Sequence, residues 1–467
     1  MTTPNSFAHN AYSASLQSTF AHLSDGEESG AVVNVAGRVM LLRTQGKLAF
    51  ATMRDSTGEI QLFALAAVTS EFEDFAKLHL GDWVGVTGEV VRTKRGELSV
   101  KVASWVRLAE ALHNFGDKWA GISDFDLRYR HREADLWANP VSRRSLARRS
   151  EMLRSVRERC WAANFMEVET PMLNAIATGA AARPFKTFHN ALDSELFLRI
   201  APELWLKRLV VGGFERVFEL GRVFRNEGLS PRHNPEFTML ELYAAYWDYH
   251  DMMSFVEELV SGVALDVLGT TETEYQSRAF SFAAPWPRRT MASLVSDAVG
   301  EDVSVHTSRE HLVELLEQRD VAVHASWGPG RCLAELFEAT CEENLWNPVF
   351  VTEYPVEVSP LARRHPDDPE LTERFESYAA GRELSNGFSE LVDPVDQRSR
   401  FEQQARLAAA GDDEAMQIDE DYIKALEWGL PPTAGLGIGM DRLAMLIADE
   451  PSIREVIAFP TLKPIRD

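Results

Sequence analysis

The sequence predicts an α+β fold in two unlike domains, a small β-barrel followed by a larger domain of helices and antiparallel strands. Three observations carry that prediction. Residues 31–110 break into short runs of alternating apolar and polar residues, separated by turns. Beyond residue 140, amphipathic helical runs interleave with extended runs at period two. Between Val217 and Ala244, two extended runs flank a loop rich in Gly, Pro and Asn, the pattern of an antiparallel hairpin with a long tip.

At 467 residues the chain has room for two or three domains, and its composition is that of an ordinary soluble globular protein. No apolar run reaches the roughly 18 residues of a membrane span. The N-terminus, MTTPNSFAHNAY, has neither the basic nor the apolar region of a secretory signal. Cys160, Cys332 and Cys341 are too scattered for a disulfide framework or a zinc site. These features predict a reduced, cytoplasmic protein. The net charge of -23 argues, taken alone, against a nucleic-acid partner. From Ala31 to Pro140, however, 14 basic residues balance 14 acidic ones, so all of the acidic excess lies elsewhere. A nucleic acid would be met by the N-terminal domain, at basic patches such as Arg92-Thr93-Lys94-Arg95.

In order, residues 1–30 read as a short, partly ordered lead. Residues 31–115 form the first domain. Its strands are Val32–Leu42, Leu48–Arg54, Glu59–Leu65, Trp83–Thr93 and Leu98–Leu108, with a helical Glu71–Leu78 between the third and fourth. That order is the OB-fold barrel, which binds single-stranded nucleic acid by stacking bases on aromatics; a barrel that only packs is the alternative. Residues 116–140 are a linker. The second domain, 141–467, opens with a long helix over Ser142–Phe165, with apolar residues at Leu146, Met152, Leu153, Val156, Cys160 and Trp161, and a strand ending at Pro171. A small-residue loop, Thr178–Phe185, lets backbone groups approach a ligand. Glu203 is an acid among apolar neighbours in LRIAPELWLK, a setting that also suits a solvated or paired ion. A small helical insertion occupies residues from about 266 to 345, and Val349–Pro360 reads as a buried strand and turn.

The hairpin carries the chemistry. Its first run, Val217–Glu227, sets Glu219, Arg225 and Glu227 on one face, and its second sets Phe237, Met239, Glu241 and Tyr243 on one face. A guanidinium binds phosphate or carboxylate as a fork, and an aromatic ring offers a plane to a base. A surface hairpin with an Arg225–Glu227 ion pair is the plainer alternative. Later, Asn386, Phe388 and Glu390 share a strand face, and Glu376 and Glu383 are hard oxygen ligands suited to Mg²⁺ on a polyphosphate, or else solvated acids. The stretch Gly435-Leu436-Gly437-Ile438-Gly439-Met440-Asp441-Arg442 is neither a P-loop nor a dinucleotide fingerprint, because no Gly-Lys-Ser/Thr follows and the spacing is GxGxG.

Taken together these motifs resemble one family. FRNEG, four residues, then HNPEFT is similar to motif 2 of the class II aminoacyl-tRNA synthetases, and RNEGLSPRHNPEFTMLELY resembles the lysyl-tRNA synthetases. The resemblance runs from about Val33 to the end. It implies an α+β protein in which an N-terminal OB-fold barrel precedes a class II catalytic domain, an antiparallel sheet flanked by helices. It implies a homodimer, with no membrane, built on the Ser142–Phe165 helix as motif 1. The implied reaction is ATP-dependent ligation of lysine to tRNA through a lysyl-adenylate. Arg225 and Arg442 would be catalytic, bracing the α- and γ-phosphates. ATP would also meet Glu227, His233, Asn234, Phe237 and Gly437. Lysine would meet Gly179, Glu203, Glu241, Tyr243, Asn386, Phe388 and Glu390, with Glu203 and Glu390 on its ε-ammonium. Mg²⁺ would sit on Glu376 and Glu383, and the anticodon on Phe50, Gln61 and Glu97. The chain departs from the family at His131–Trp137, at Thr178 where a second glycine is usual, and in a shorter N-terminal extension. Two other functions fit the same motifs: a paralogue giving lysine to a non-tRNA acceptor, and a non-catalytic regulator.

An uncharged ligand of lysine's shape would leave two buried acids unpaired, at about 3–5 kcal/mol. Glu390→Gln is therefore expected to lose lysine-dependent pyrophosphate exchange; exchange near wild type would overturn that role.

Overall fold

Alternation in the first domain becomes five strands, β1 Glu28–Gln45, β2 Leu48–Arg54, β3 Glu59–Leu65, β4 Trp83–Arg92 and β5 Leu98–Ala109, closed into a barrel in the order β1-β2-β3-β5-β4. The computed structural model describes residues 4–113, 124–180, 182–409 and 417–465, and divides into units 1–140 and 141–467. Every second residue turns inward, so that Val35, Ala51, Leu62, Val86 and Val100 fill the barrel. The lead is more ordered than expected. Helix α1, Ser13–Thr19, buries Leu16 in the barrel core, and the Ser13 N–H donates to the Asp55 carboxylate at 2.6 Å. The helix between β3 and β4 shrinks to one turn, α2 Phe72–Phe75. Residues 116–123 of the expected linker lie outside the described residues. The rest folds as α3 Phe125–Arg130 and α4 Arg132–Ala138, where Trp137 packs edge-on against Trp83 at 4.9 Å.

The second unit is organised by an eight-stranded sheet. Its strands are β6 Met166–Glu167, β10 Arg216–Phe224, β11 Glu236–Ala245, β14 Arg288–Thr290, β15 Val349–Thr352, β16 Arg374–Tyr378, β17 Glu383–Ser389 and β18 Thr433–Gly439, in the order β14-β15-β16-β17-β18-β11-β10-β6. Pairing is antiparallel from β15 to β10, with a parallel strand at each edge. Three short strands, β7 Leu173–Asn174, β8 Lys186–His189 and β9 Ser194–Leu198, make a separate sheet, and β12 Glu272–Tyr275 pairs with β13 Arg278–Ser281. The helices are α5 Pro140–Ala162, α6 Glu203–Val211, α7 Tyr249–Leu268, α8 Met291–Val299, α9 Arg309–Glu317, α10 Pro329–Thr340, α11 Pro394–Ala409, α12 Glu420–Glu427, α13 Met440–Ala448 and α14 Ile453–Val456.

The two faces of the sheet differ because side chains alternate. Leu240, Leu242, Ala244, Leu436 and Ile438 point into a core shared with α5, α7 and α13. The residues between them point the other way and build the floor of a cavity. Helices α8, α9 and α10 pack around a core of their own. One buried carboxylate ties the parts together: Asp441, at the start of α13, accepts from Arg149 of α5 at 2.5 Å and from the Thr238 N–H of β11 at 2.6 Å.

Two expectations are corrected here. The first hairpin strand ends at Phe224, so Arg225 and Glu227 lie in the tip, although the Arg225 N–H still donates to the Pro235 carbonyl at 2.9 Å. Trp161 is not a core residue of α5; it is 53% exposed, whereas Met152, Val156 and Cys160 are buried. Met152→Ala should therefore lower the unfolding free energy by about 2–5 kcal/mol in urea titration. A loss below about 1 kcal/mol would show that the site refills.

Candidate active site

Cross-strand register builds the cavity floor in two rows. Glu241, Gly437, Asn386 and Glu376 lie opposite one another across β11, β18, β17 and β16. Tyr243, Gly435, Phe388 and Arg374 form the next row. The central strand contributes glycine to both rows, which hollows the middle. A Cβ at Gly435 would stand 2.1 Å from Glu390 Oε1 and 2.4 Å from Tyr243 Cε1, so only glycine fits between them. The cavity encloses about 730 Å³, and Gly179, Glu203, Glu227 and His233 line its walls.

One end is cationic. The Arg225 guanidinium lies 5.2 Å over the Phe237 ring, and its Nε is buried without a hydrogen-bond partner among the described residues. Burial holds Arg225 below its ordinary value, against the attraction of Glu227 and Glu383. Arg442 donates to the Glu383 carbonyl at 2.7 Å and to its carboxylate at 3.0 Å. Burial and the neighbouring Arg442 hold the His233 imidazole below its usual range, and its Nδ1 faces Ser230 Oγ at 3.0 Å. Asn234 lines this end too, but its amide is spent within the fold. It donates to the Glu236 carbonyl at 2.6 Å and accepts from the Thr461 N–H at 3.2 Å. These two bonds hold the hairpin tip against the C-terminal segment.

The other end is anionic. Tyr243 donates to Glu241 at 3.2 Å, and both are buried. Burial, with Glu203 nearby, pushes the Glu241 carboxyl up to about 8. Glu203 begins α6 and opens to the cavity, while its carboxylate accepts from Lys207 Nζ at 2.5 Å one turn along. Lys207 also pairs with Glu390. Glu390 is 1% exposed, lies against the cavity residue Gly435, and has Lys207, a cation of the chain, standing against it.

Between the ends lies Glu376. It was read as an open ligand, but it is buried and accepts from Tyr354 at 2.9 Å, Tyr378 at 2.5 Å and Arg374 at 2.6 Å. Burial raises its carboxyl, Arg374 opposes, and Glu383 raises it further. Arg374 also donates to Asn386 Oδ1 at 3.1 Å, leaving the Asn386 amide nitrogen for the cavity. Sequence reasoning missed Lys207 and Arg374. Both signals were present: Lys207 is four residues after Glu203 on a helix, and Arg374 is two residues before Glu376 on a strand.

On the barrel, Phe50 stacks on Phe63 with centroids 5.1 Å apart and planes 11° from parallel. Register extends this into a ladder, Arg43 opposite Phe50, Phe50 opposite Phe63, and Phe63 opposite Lys101. Gln61 sits beside it, its carbonyl accepting from Ser99 Oγ at 2.9 Å, and Glu97 is exposed at the start of β5. Phe63 was missed, although it follows Gln61 at period two.

This arrangement has close relatives. The family model for class II tRNA synthetases (D, K and N) matches residues 124–463, and that for the OB-fold nucleic acid binding domain matches residues 33–108. The chain is 53% identical over 454 residues to the lysine–tRNA ligase of Synechococcus sp. (strain RCC307), covering 97% of this chain and 90% of the relative. It is 50% identical over 471 residues to that of Idiomarina loihiensis, covering 99% and 93%. An OB-fold barrel with this sheet, hairpin and glycine strand defines a class II aminoacyl-tRNA synthetase. Within that class, the chain belongs to the lysine–tRNA ligase family.

The raised Glu241 carboxyl has a pH signature. Between about pH 4.5 and 8 the folded protein keeps a proton that the unfolded chain releases, so stability falls as pH rises through that window. Glu241→Gln should remove that slope and stabilise the unliganded protein near pH 9 by about 3–5 kcal/mol. Melting curves near pH 6 and near pH 9 check this; an unchanged slope would sink the assignment.

Proposed function

We propose that this cavity is where lysine is activated and passed to tRNA, and that its charge asymmetry assigns the roles. Lysine–tRNA ligation uses ATP. Lysyl-adenylate is a mixed anhydride of lysine and AMP, with an anionic phosphate on one side and two ammonium groups on the lysyl side, and the cavity has a guanidinium end and a carboxylate end to match. That pairing of ends carries the reading.

In the first step the lysine carboxylate attacks the α-phosphorus, forming the acyl–phosphate bond and expelling pyrophosphate. Arg225 braces the α-phosphate, where charge builds in the transition state, and its unpartnered Nε is a free donor there. Arg442 holds the γ-phosphate, and Phe237 gives the adenine a plane. Glu203 and Tyr243 meet the ε-ammonium end, Gly179 the α-amino group, and Asn386 and Phe388 the chain between. In the second step a terminal ribose hydroxyl of the tRNA attacks the activated carbonyl and releases AMP. The residues supply positioning and charge neutralisation throughout.

Glu376 and Glu383 fit Mg²⁺. They are oxygen donors whose mutual repulsion raises Glu376, and each has an oxygen with spare lone pairs beside Arg374 or Arg442. Among the described residues no group of three or more His, Cys, Asp or Glu is placed to hold a metal, so the phosphates of ATP would supply the remaining ligands. Mg²⁺ there neutralises polyphosphate charge. The chain acts as a homodimer in the cytoplasm; Val141 and Trp161 on α5 are exposed apolar side chains available to a second copy. Among the described residues no helix is long and apolar enough to cross a membrane. The Phe50–Phe63 ladder supports tRNA, with Gln61 and Glu97 reading base edges, and no observation favours another acceptor.

Lysine-dependent pyrophosphate exchange run beside tRNA charging tests this reading, and both activities are expected. Phe50→Ala should weaken charging through tRNA affinity by about 1–3 kcal/mol and leave exchange intact. Exchange without charging in the wild type would overturn the tRNA assignment.

A further inference from the structure

Behind the anionic end lies a cation that no step above uses. Lys207 is fully buried, and its Nζ stands between the carboxylates of Glu203 and Glu390. Three aromatic rings close around it, with Phe388 at 5.3 Å and Tyr243 and Tyr422 each at 5.9 Å. An ammonium held by carboxylates among aromatic faces is the environment that a lysine substrate needs for its own ε-ammonium. The chain thus carries a lysine side chain at the back of the pocket meant for one.

We infer that Lys207 is the positioning residue for lysine selection, fixing the Glu203 and Glu390 side chains on either side of its ammonium and setting the pocket charge so that one further ammonium completes it. The inference rests on the reading of this cavity as the lysine pocket. Two carboxylates against one resident ammonium leave a single negative charge, since Glu241 is protonated at neutral pH without substrate. One ε-ammonium cancels it. Without Lys207, two buried acids would face each other, and one would take up a proton.

The groups around the ammonium come from four elements. They are Glu203 on α6, Tyr243 and Glu241 on β11, Glu390 just past β17 and Tyr422 on α12. Burial pulls Lys207 down, but Glu203 and Glu390 outweigh it and hold the ammonium above its ordinary value. Burial, with Glu203 and Glu241 adding to it, holds the Glu390 carboxyl well above its ordinary value, and Lys207 supplies the largest opposing pull. Only Glu203 of the pair opens to the cavity, so Lys207 acts on substrate through it.

The test measures lysine KM and kcat for pyrophosphate exchange against pH in Lys207→Met, Lys207→Arg, Glu203→Gln and the double variant Lys207→Met/Glu390→Gln. Lys207→Met should raise lysine KM by about tenfold or more near pH 7, with kcat changed far less, and KM should recover more steeply than in the wild type as pH rises. Lys207→Arg should restore most of the KM, because it keeps the charge. The double variant removes one charge of each sign, so it should fold and bring KM and its pH profile back toward wild type. It also decides the matter if Lys207→Met does not fold. A lower melting temperature with an unshifted KM profile would overturn the inference, as would a double variant no better than Glu390→Gln alone. If Glu203→Gln leaves lysine KM unchanged, the pocket reading falls instead; if it raises KM while Lys207→Met does not, only the role of Lys207 falls.

Discussion

Burying a carboxylate strips it of water, and the site face of the sheet buries several. Each has found a different compensation, and the rest of the catalytic unit is arranged around those choices. Glu219 is answered by Arg199 and Thr170, Glu376 by Arg374 and two tyrosines, Glu390 by Lys207. Glu241 has only the Tyr243 hydroxyl, and its carboxyl rises accordingly. Removing one partner from such a pair leaves a stranded charge, which costs more than the pair contributes. The compensated acids are therefore fixed in place, and two residues fixed in this way, Glu203 and Glu376, still line the cavity. The undercompensated Glu241 lines it too.

The opposite end of the cavity inverts the logic. Arg225 and Arg442 approach each other at the hairpin tip and the start of α13, with Glu227 and Glu383 interposed. A guanidinium with an unused donor beside an aromatic plane is prepared for an anion that carries a flat base. Asp441, the residue before Arg442, joins α5, β11 and α13 through side-chain and backbone donors. The glycines of β18 complete the arrangement by leaving the middle of the floor without side chains, so that Tyr243 and Glu390 meet over Gly435.

Much of this was legible in the residues. Period-two alternation exposed the hairpin, because a strand sends successive side chains to opposite faces and a chemically mixed face stands out. The barrel strands were legible for the same reason. Errors fell where a boundary or an orientation depends on distant partners. The hairpin strand seemed to continue to Glu227 because its alternation does. Trp161 seemed part of the α5 core because periodicity cannot separate a buried ring from an apolar surface. The bond from the Thr461 N–H to Asn234 was equally hidden, because nothing local shows it.

By itself, then, the sequence determined the fold class and the family, and it offered the candidates for the side chains that carry the chemistry. Alternation, turn residues and motif spelling are local properties, and the chain displays them without folding. What only the tertiary structure decided is how charge is shared out. That Lys207 stands against Glu390, and that Tyr354 donates to Glu376, follows from contacts between residues 183 and 22 positions apart. Coulomb and desolvation energies depend on distance in space, and separation along the chain does not encode it.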